Sequence, residues 1–226
     1  MGAMKRAHFI TATGTDLGKT WLTAGVAGVC AARGVAVRAL KPVMSGYDEA
    51  SPASSDAGVL LDGSGTAAEV ARISPWRFAA PLSPDRAAAL EGRAIDFAEL
   101  VGWCRGEIER NEGLLLIEGI GGVMVPLDER HTVRDLVAAL GIPALLVAGT
   151  YLGSLSHTLT ALAALREVGI VPAAVVLNES AGSTVSVEDA AASLEPHLGA
   201  VRLIIVRRDD AAGLEGLADF LTKDLK

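Results

Sequence analysis

Aromatic residues are scarce in this 226-residue chain. Only 4% of positions are Phe, Trp or Tyr, while half of all residues are hydrophobic. A large core is therefore available, but it has to be built from Val, Leu, Ile and Ala. Cysteine is scarcer still. Cys30 and Cys104 form no metal-binding or redox spacing, which excludes a disulfide scaffold and a zinc module. Both fall in helix-like patterns and read as small buried hydrophobes. No apolar run is long enough for a membrane span, and no leader pattern is present. The expectation is a cytoplasmic protein that makes no membrane contact. Positive charge is also in short supply. The net charge is −7 and the pI about 5.1, a poor footprint for nucleic-acid binding. Met1 to Ala3 read as an appended remnant ahead of a native Met4, leaving residues 4–226 as one expected domain.

Lysine is the most telling shortage. Of twenty basic residues only five are lysines, and Lys5, Lys223 and Lys226 sit near the ends. The two interior ones, Lys19 and Lys41, each follow a strand-like segment. An arginine-using chain that keeps a compact ammonium in two such places has reason to meet single phosphate oxygens.

What is present is an alternation. Strand-like segments cover 7–13, 35–40, 114–119, 143–149, 173–178 and 200–206. Helix-like spacing covers 19–33, 96–110, 132–140, 154–167 and 187–195, and Gly34 reads as a stop. Residues 44–66 are small and polar, followed by helical pieces broken by prolines. Continuous apolar strands separated by helices predict an α/β fold, a mostly parallel sheet with helices on both faces. Such sheets bind ligands beyond the carboxyl ends of their strands, so the loops there are the places to search.

The first such loop is "TGTDLGKT", Thr13 to Thr20. It misses the strict G-x-x-x-x-G-K-[ST] pattern, because position 13 is threonine. Its context of strand, loop and helix is nevertheless that of a phosphate loop. Backbone N–H groups and a helix N-terminus would face phosphate oxygens. Lys19 would reach the outer phosphates, and the Thr20 hydroxyl would ligate Mg²⁺. The second loop, "KPVMSG", carries Lys41 and Ser45; Asp56 follows in "SSDAG", where a helix cap is the plain structural alternative. The third, "IEGIGG", ends an apolar strand with Glu118, whose carboxylate would need a cation or metal to offset its burial. The fourth, "AGTYLGSLSH", opens a second helix N-terminus near Ser154, and the fifth ends a strand at Asn178. Two ammonium groups and two acids, all distant in sequence, are thus expected around one triphosphate.

Taken together and in order, "TGTDLGKT", "KPVMSG", "SSDAG", "FAAPLSP", "IEGIGG", "YLGSLSH" and "VLN" resemble the dethiobiotin synthetases, which share the P-loop NTPase fold. That family's phosphate loop is one residue longer, and its first glycine aligns with Ala12. The resemblance implies ATP- and Mg²⁺-dependent ring closure of 7,8-diaminononanoate with CO₂ or bicarbonate, through a carbamate and a carbamic–phosphoric anhydride. It implies Lys41, Lys19, Thr15 and Ser45 as catalytic residues, with Ser45 also on the substrate. It places Asp16, Leu17, Gly18, Lys19, Thr20 and Trp21 against the nucleotide, along with Asp56, Glu118, Gly119, Ile120, Gly121 and, at adenine, Asn178. Thr20, Asp56 and Glu118 would hold Mg²⁺. Gly153, Ser154, Leu155 and Ser156 would bind the substrate's carboxylate across a homodimer interface.

The chain departs from the family pattern at Asp85, where histidine is usual, and at Val206 to Asp209, where proline is usual. Trp21 is bulkier than the pattern has, leaving two places for it: against the sheet or over the base. The alternative reading is a partition-type regulatory ATPase of the same deviant loop group. Those proteins carry a lysine five residues before Lys19, where this chain has Gly14.

Overall fold

The computed structural model describes residues 6–208 and 211–223. Its centre is a six-stranded sheet built from β1 (Arg6–Ala12), β2 (Val37–Leu40), β5 (Leu114–Glu118), β6 (Ala144–Ala148), β7 (Ala174–Asn178) and β8 (Arg202–Val206). The order across the sheet is β2-β5-β1-β6-β7-β8, and every pairing is parallel. The predicted strands are found, each trimmed by one to two residues at one or both ends.

The strands read as unbroken apolar runs because both faces are covered. In β6, Leu145 and Val147 meet one face, packing with Leu22 and Val26 of α1 (Lys19–Ala32) and Leu217 and Leu221 of α9 (Ala211–Thr222). Leu146 and Ala148 meet the other, with Leu162 and Leu165 of α7 (Ser154–Glu167) and Leu194 of α8 (Val187–Leu198). Leu114, Leu115, Leu116 and Ile117 in β5 are fully buried, each contributing roughly 1.5–3 kcal/mol of transfer free energy. Cys30 and Cys104 are both buried and free, as read from the sequence.

The stretch 44–66, read as small and polar, holds more structure than its composition suggested. Here β3 (Val43–Ser45) pairs in parallel with β4 (Trp76–Phe78) as a separate two-stranded sheet. A short 3-10 turn at Pro52–Ser54 precedes α2 (Asp56–Ser64). The cap of α2 is Ser55, whose hydroxyl accepts from the Gly58 N–H at 3.1 Å; Asp56 is the first helical residue instead. Close packing sets where Asp56 falls. A Cβ on Gly63 would stand 2.7 Å from the Ala24 Cβ, so only glycine lets α2 lie this tightly on α1. The remaining helices are α3 (Val70–Ile73), α4 (Pro84–Leu90), α5 (Phe97–Arg110) and α6 (Val133–Leu140). Helix α8 runs through Pro196 to Leu198, past the expected end at 195.

One polar residue is out of place in this core. His8 in β1 is 5% exposed, and neither ring nitrogen has a hydrogen-bond partner among the described residues. Burial, with a smaller push from Arg6, lowers its pKa from 6.5 to about 4. The unfolded chain therefore binds the proton more readily than the folded one between those values. Stability from this site is complete above pH 6.5 and is lost as pH falls toward 4, by about 3 kcal/mol. Urea melts at pH 7.5 and pH 4.5 should show this loss, and His8→Phe should flatten the difference. A pH slope unchanged in His8→Phe would assign acid sensitivity elsewhere.

Candidate active site

The phosphate loop leaves β1 at Ala12. That residue is still in regular strand, pairing with Val147, and does not have a positive φ. Alanine is accommodated here because glycine's conformational freedom is needed farther along. The turn is made by Asp16 (φ 57°) and Gly18 (φ 79°). Aspartate is among the few side chains that tolerate the left-handed region. Gly18 then caps α1, and Leu22 N–H bonds back to its carbonyl at 2.9 Å. Gly18 is required twice over, since a Cβ there would also lie 2.4 Å from Asn178 Nδ2. Gly18→Ala is expected to leave the fold intact and raise the nucleotide KM about tenfold or more, read from initial rates.

Beyond the loop lie two cavities. One, of about 790 Å³, is lined by Lys19, Thr20, Lys41, Ser45 and Asp56, with Ile120, Gly121 and Val125 from the third loop. The segment Pro81 to Pro84 closes its far side. The other, of about 580 Å³, is lined by Leu17, Trp21, Tyr151, Asn178, Glu179, Ser180 and Arg208. Thr15, Asp16 and Gly18 line both, so the loop is the wall between them. Trp21 therefore borders the second cavity and is 41% exposed rather than packed on the sheet.

The charged residues meet as expected from their loops. Lys41 Nζ lies 2.6 Å from Glu118 Oε1 and 2.8 Å from Asp56 Oδ2, and donates to the Gly119 carbonyl at 3.1 Å. Thr20 Oγ1 donates to the same Glu118 oxygen at 2.7 Å. Burial is the largest influence on Lys41 and acts to discharge it. The two carboxylates outweigh burial, and its pKa is raised. Asp56 shows the mirror image: burial works against its charge, Lys41 prevails, and its pKa is lowered. Lys19 Nζ donates to the Gly14 carbonyl at 3.1 Å. Burial first, and the Lys41 ammonium second, press its pKa down to about 8. An anion beside Lys19 would offset the repulsion from Lys41.

Glu118 is fully buried, and its Oε2 has no hydrogen-bond partner among the described residues. With the Thr20 hydroxyl and the half-exposed Asp56 carboxylate it forms a set of hard oxygen donors at one point. That set fits Mg²⁺, which takes few protein ligands and retains waters.

Not every predicted residue reaches the cavities. Glu118 and Gly119 line neither, Glu118 being fully buried behind Lys41 and Thr20, and a Cβ on Gly119 would stand 2.9 Å from Phe9. Gly153, Ser154, Leu155 and Ser156 do open α7, with Gly153 at φ 98°, but line neither cavity. Asp85 sits on α4 and borders a different hollow, with Arg93, Leu127 and Arg130. Of the Val206 to Asp209 segment, Arg208 borders the second cavity, and Asp209 lies outside the described residues. The sequence reading missed Tyr151, Glu179 and Ser180. Their signal was position alone, since all three follow β6 or β7.

A protein-family model described as an AAA domain matches residues 6–207. Among curated proteins, the ATP-dependent dethiobiotin synthetase BioD of Acidiphilium cryptum is 55% identical over 85% of this chain and 88% of its own length. The protein of the same name from Caulobacter sp. strain K31 is 43% identical over 95% and 94%. The chain belongs to the dethiobiotin synthetase family.

More distant solved structures share the fold alone. The MinC:MinD cell division protein complex of Aquifex aeolicus aligns with TM-score 0.55 and 15% identity, over 97% of this chain and 88% of that one. A ParA family ATPase of Chlorobium tepidum TLS aligns at 0.53 and 13%, over 99% and 94%. In the present family member the carbonyl of Gly14 receives the Lys19 ammonium, at the position where the partition-type reading would need a lysine side chain. No described helix is long and apolar enough to cross a membrane.

Proposed function

We propose that the protein is an ATP-dependent dethiobiotin synthetase that closes the ureido ring of dethiobiotin from 7,8-diaminononanoate and CO₂. The observation that carries the reading is the convergence of Lys19 and Lys41 on one cavity, with Thr20, Asp56 and Glu118 beside them. A switch ATPase needs a phosphate loop. The partition-type ATPases carry their second lysine within that loop, where this chain has Gly14, whereas the second lysine here comes from the loop after β2 onto the same cavity of about 790 Å³.

The triphosphate crosses the loop at Thr15 to Thr20, its base in the cavity beside Asn178. Thr20, Asp56 and Glu118 would hold Mg²⁺, which would neutralise triphosphate charge. One substrate amine takes up CO₂ as a carbamate, next to Ser45 and Lys41. A carbamate oxygen attacks the γ-phosphorus, ADP leaves, and a carbamic–phosphoric anhydride forms. Lys19 and Lys41 stabilise the charge that develops on the transferring group, and Thr15 donates to its oxygens. The neighbouring amine then attacks the anhydride carbonyl, and phosphate leaves as the ring closes. Both amines sit on one molecule, so this last step needs positioning more than chemistry.

The far carboxylate of the substrate belongs at the N-terminus of α7, where Gly153, Leu155 and Ser156 present backbone N–H groups while the Ser154 N–H is taken by the Tyr151 carbonyl at 2.9 Å. These residues lie off the cavities of their own chain, and the neighbouring Leu152 is 85% exposed. A second copy of the chain supplies them, in a homodimer with the substrate at the interface. The test is phosphate release from ATP with bicarbonate present. Release that depends on the vicinal diamine, with a product of dethiobiotin mass, is the expected result. Hydrolysis at the same rate without the diamine would overturn the reading.

A further inference from the structure

Asn178 faces two ways. It is the last residue of β7 and pairs with Val206 of β8, and the next N–H, from Glu179, bonds to the Val206 carbonyl at 3.0 Å. The sheet therefore fixes its backbone. Its side chain borders the base-side cavity, and Nδ2 donates at 2.9 Å to the carbonyl of Leu17, 161 residues earlier in the chain. That carbonyl belongs to the phosphate loop. An amide nitrogen carries two N–H bonds, and Leu17 takes one. The other, with Oδ1, can still meet a base.

The hold on Leu17 governs where the next N–H points. In a trans peptide the carbonyl and the N–H point in opposite directions. With the Leu17 carbonyl turned to Asn178, the Gly18 N–H is turned away from it, and it donates to no described residue. Close packing keeps the peptide in this orientation. Gly18 leaves Asn178 room, since a Cβ there would stand 2.4 Å from Nδ2. The Leu17 side chain is buried against Gly149, where a Cβ would stand 3.1 Å from Leu17 Cδ2. Thr150, next in the chain, exchanges two hydrogen bonds of 3.1 Å with Ser180. The loops after β6 and β7 thus form one bracket around the phosphate loop.

We propose that Asn178 is a positioning residue for the phosphate loop: by holding the Leu17 carbonyl it aims the loop's N–H groups at phosphate oxygens, with or without a base in place. This rests on the triphosphate site proposed above. It gives Asn178 a task beyond the base contact that the family resemblance implies. Once released, the Leu17–Gly18 peptide is free to turn, and a carbonyl oxygen facing a phosphate repels it.

The test uses a ligand that has no base. Calorimetry measures binding of inorganic tripolyphosphate and of ATP, each with Mg²⁺, to the wild type, Asn178→Ala and Asn178→Asp. Aspartate keeps the size of the side chain and an acceptor for the base, but sets an oxygen against the Leu17 carbonyl. Both variants are expected to weaken tripolyphosphate about tenfold, the size of one lost hydrogen bond. Asn178→Ala should weaken ATP further, and the KM for the diamine should stay as it was. Tripolyphosphate bound as tightly by both variants as by the wild type makes Asn178 a base contact alone, and a lowered melting temperature with that affinity unchanged makes it merely structural. Either result overturns the inference while leaving the synthetase reading intact. A wild type that binds neither tripolyphosphate nor ATP overturns both.

Discussion

Lys41→Ala is expected to lower the rate of ring closure at least about a hundredfold at saturating substrates. The side chain is almost fully buried, and its charge is held in place by two carboxylates. No other described cation stands where it does, and water cannot supply a fixed charge at the phosphoryl group. The same substitution uncovers a second effect. It leaves the buried Glu118 carboxylate without its ammonium, and breaking a buried pair from one side costs about 3–5 kcal/mol. Urea melts in EDTA should register that loss. Mg²⁺ should restore part of the stability without restoring the rate. Lys41→Arg should not rescue activity, because a planar fork cannot take the position of a compact ammonium between Glu118, Asp56 and Gly119. Turnover at the wild-type level in Lys41→Ala would remove this residue from the mechanism.

Glu118→Gln should raise the Mg²⁺ concentration for half-maximal activity by about a hundredfold, a loss at the upper end of what metal-site substitutions cause. Glutamine keeps the volume, so the strand and the loop after it should hold their shape. It removes a negative charge and turns one of the two oxygens into a donor. That donor would face either Thr20 and Lys41, which already donate to Oε1, or the Oε2 position that has no hydrogen-bond partner among the described residues. Neither orientation recreates a bidentate oxygen acceptor. Activity against Mg²⁺ and direct Mn²⁺ binding should both report the change. Titrations that overlay the wild type would place the metal on other residues.

The fold was legible because a parallel sheet has a strong signature. Its strands are covered on both faces, so segments such as Leu114 to Ile117 are apolar without alternation. The rim was legible for the same reason, since a charged residue closing such a strand has few structural excuses. Glu118 was found that way, and Lys41 by the scarcity of interior lysines. The β3–β4 pair was opaque because the two strands have three residues each and lie far apart in sequence, too short for any period to emerge. Helix α9 was missed because its glycines weaken the helical signal, although its apolar face covers the sheet. The pairing of Asp56 with Lys41 was beyond sequence altogether. It depends on how closely α2 approaches α1, which Gly63 and Ala24 decide through sterics. Asp85 stands out in the sequence only as a departure from the family pattern. It follows Pro84, which borders the catalytic cavity, yet the first turn of α4 carries it to a separate hollow.

The partition made by Thr15, Asp16 and Gly18 separates the fuel from the product. Residues that choose the one stand on its far side from residues that shape the other. On the reading proposed above, changes at Trp21, Glu179 or Arg208 would alter the base side without reaching Lys41 or Ser45, whereas Asn178, which holds the Leu17 carbonyl, ties the two sides together.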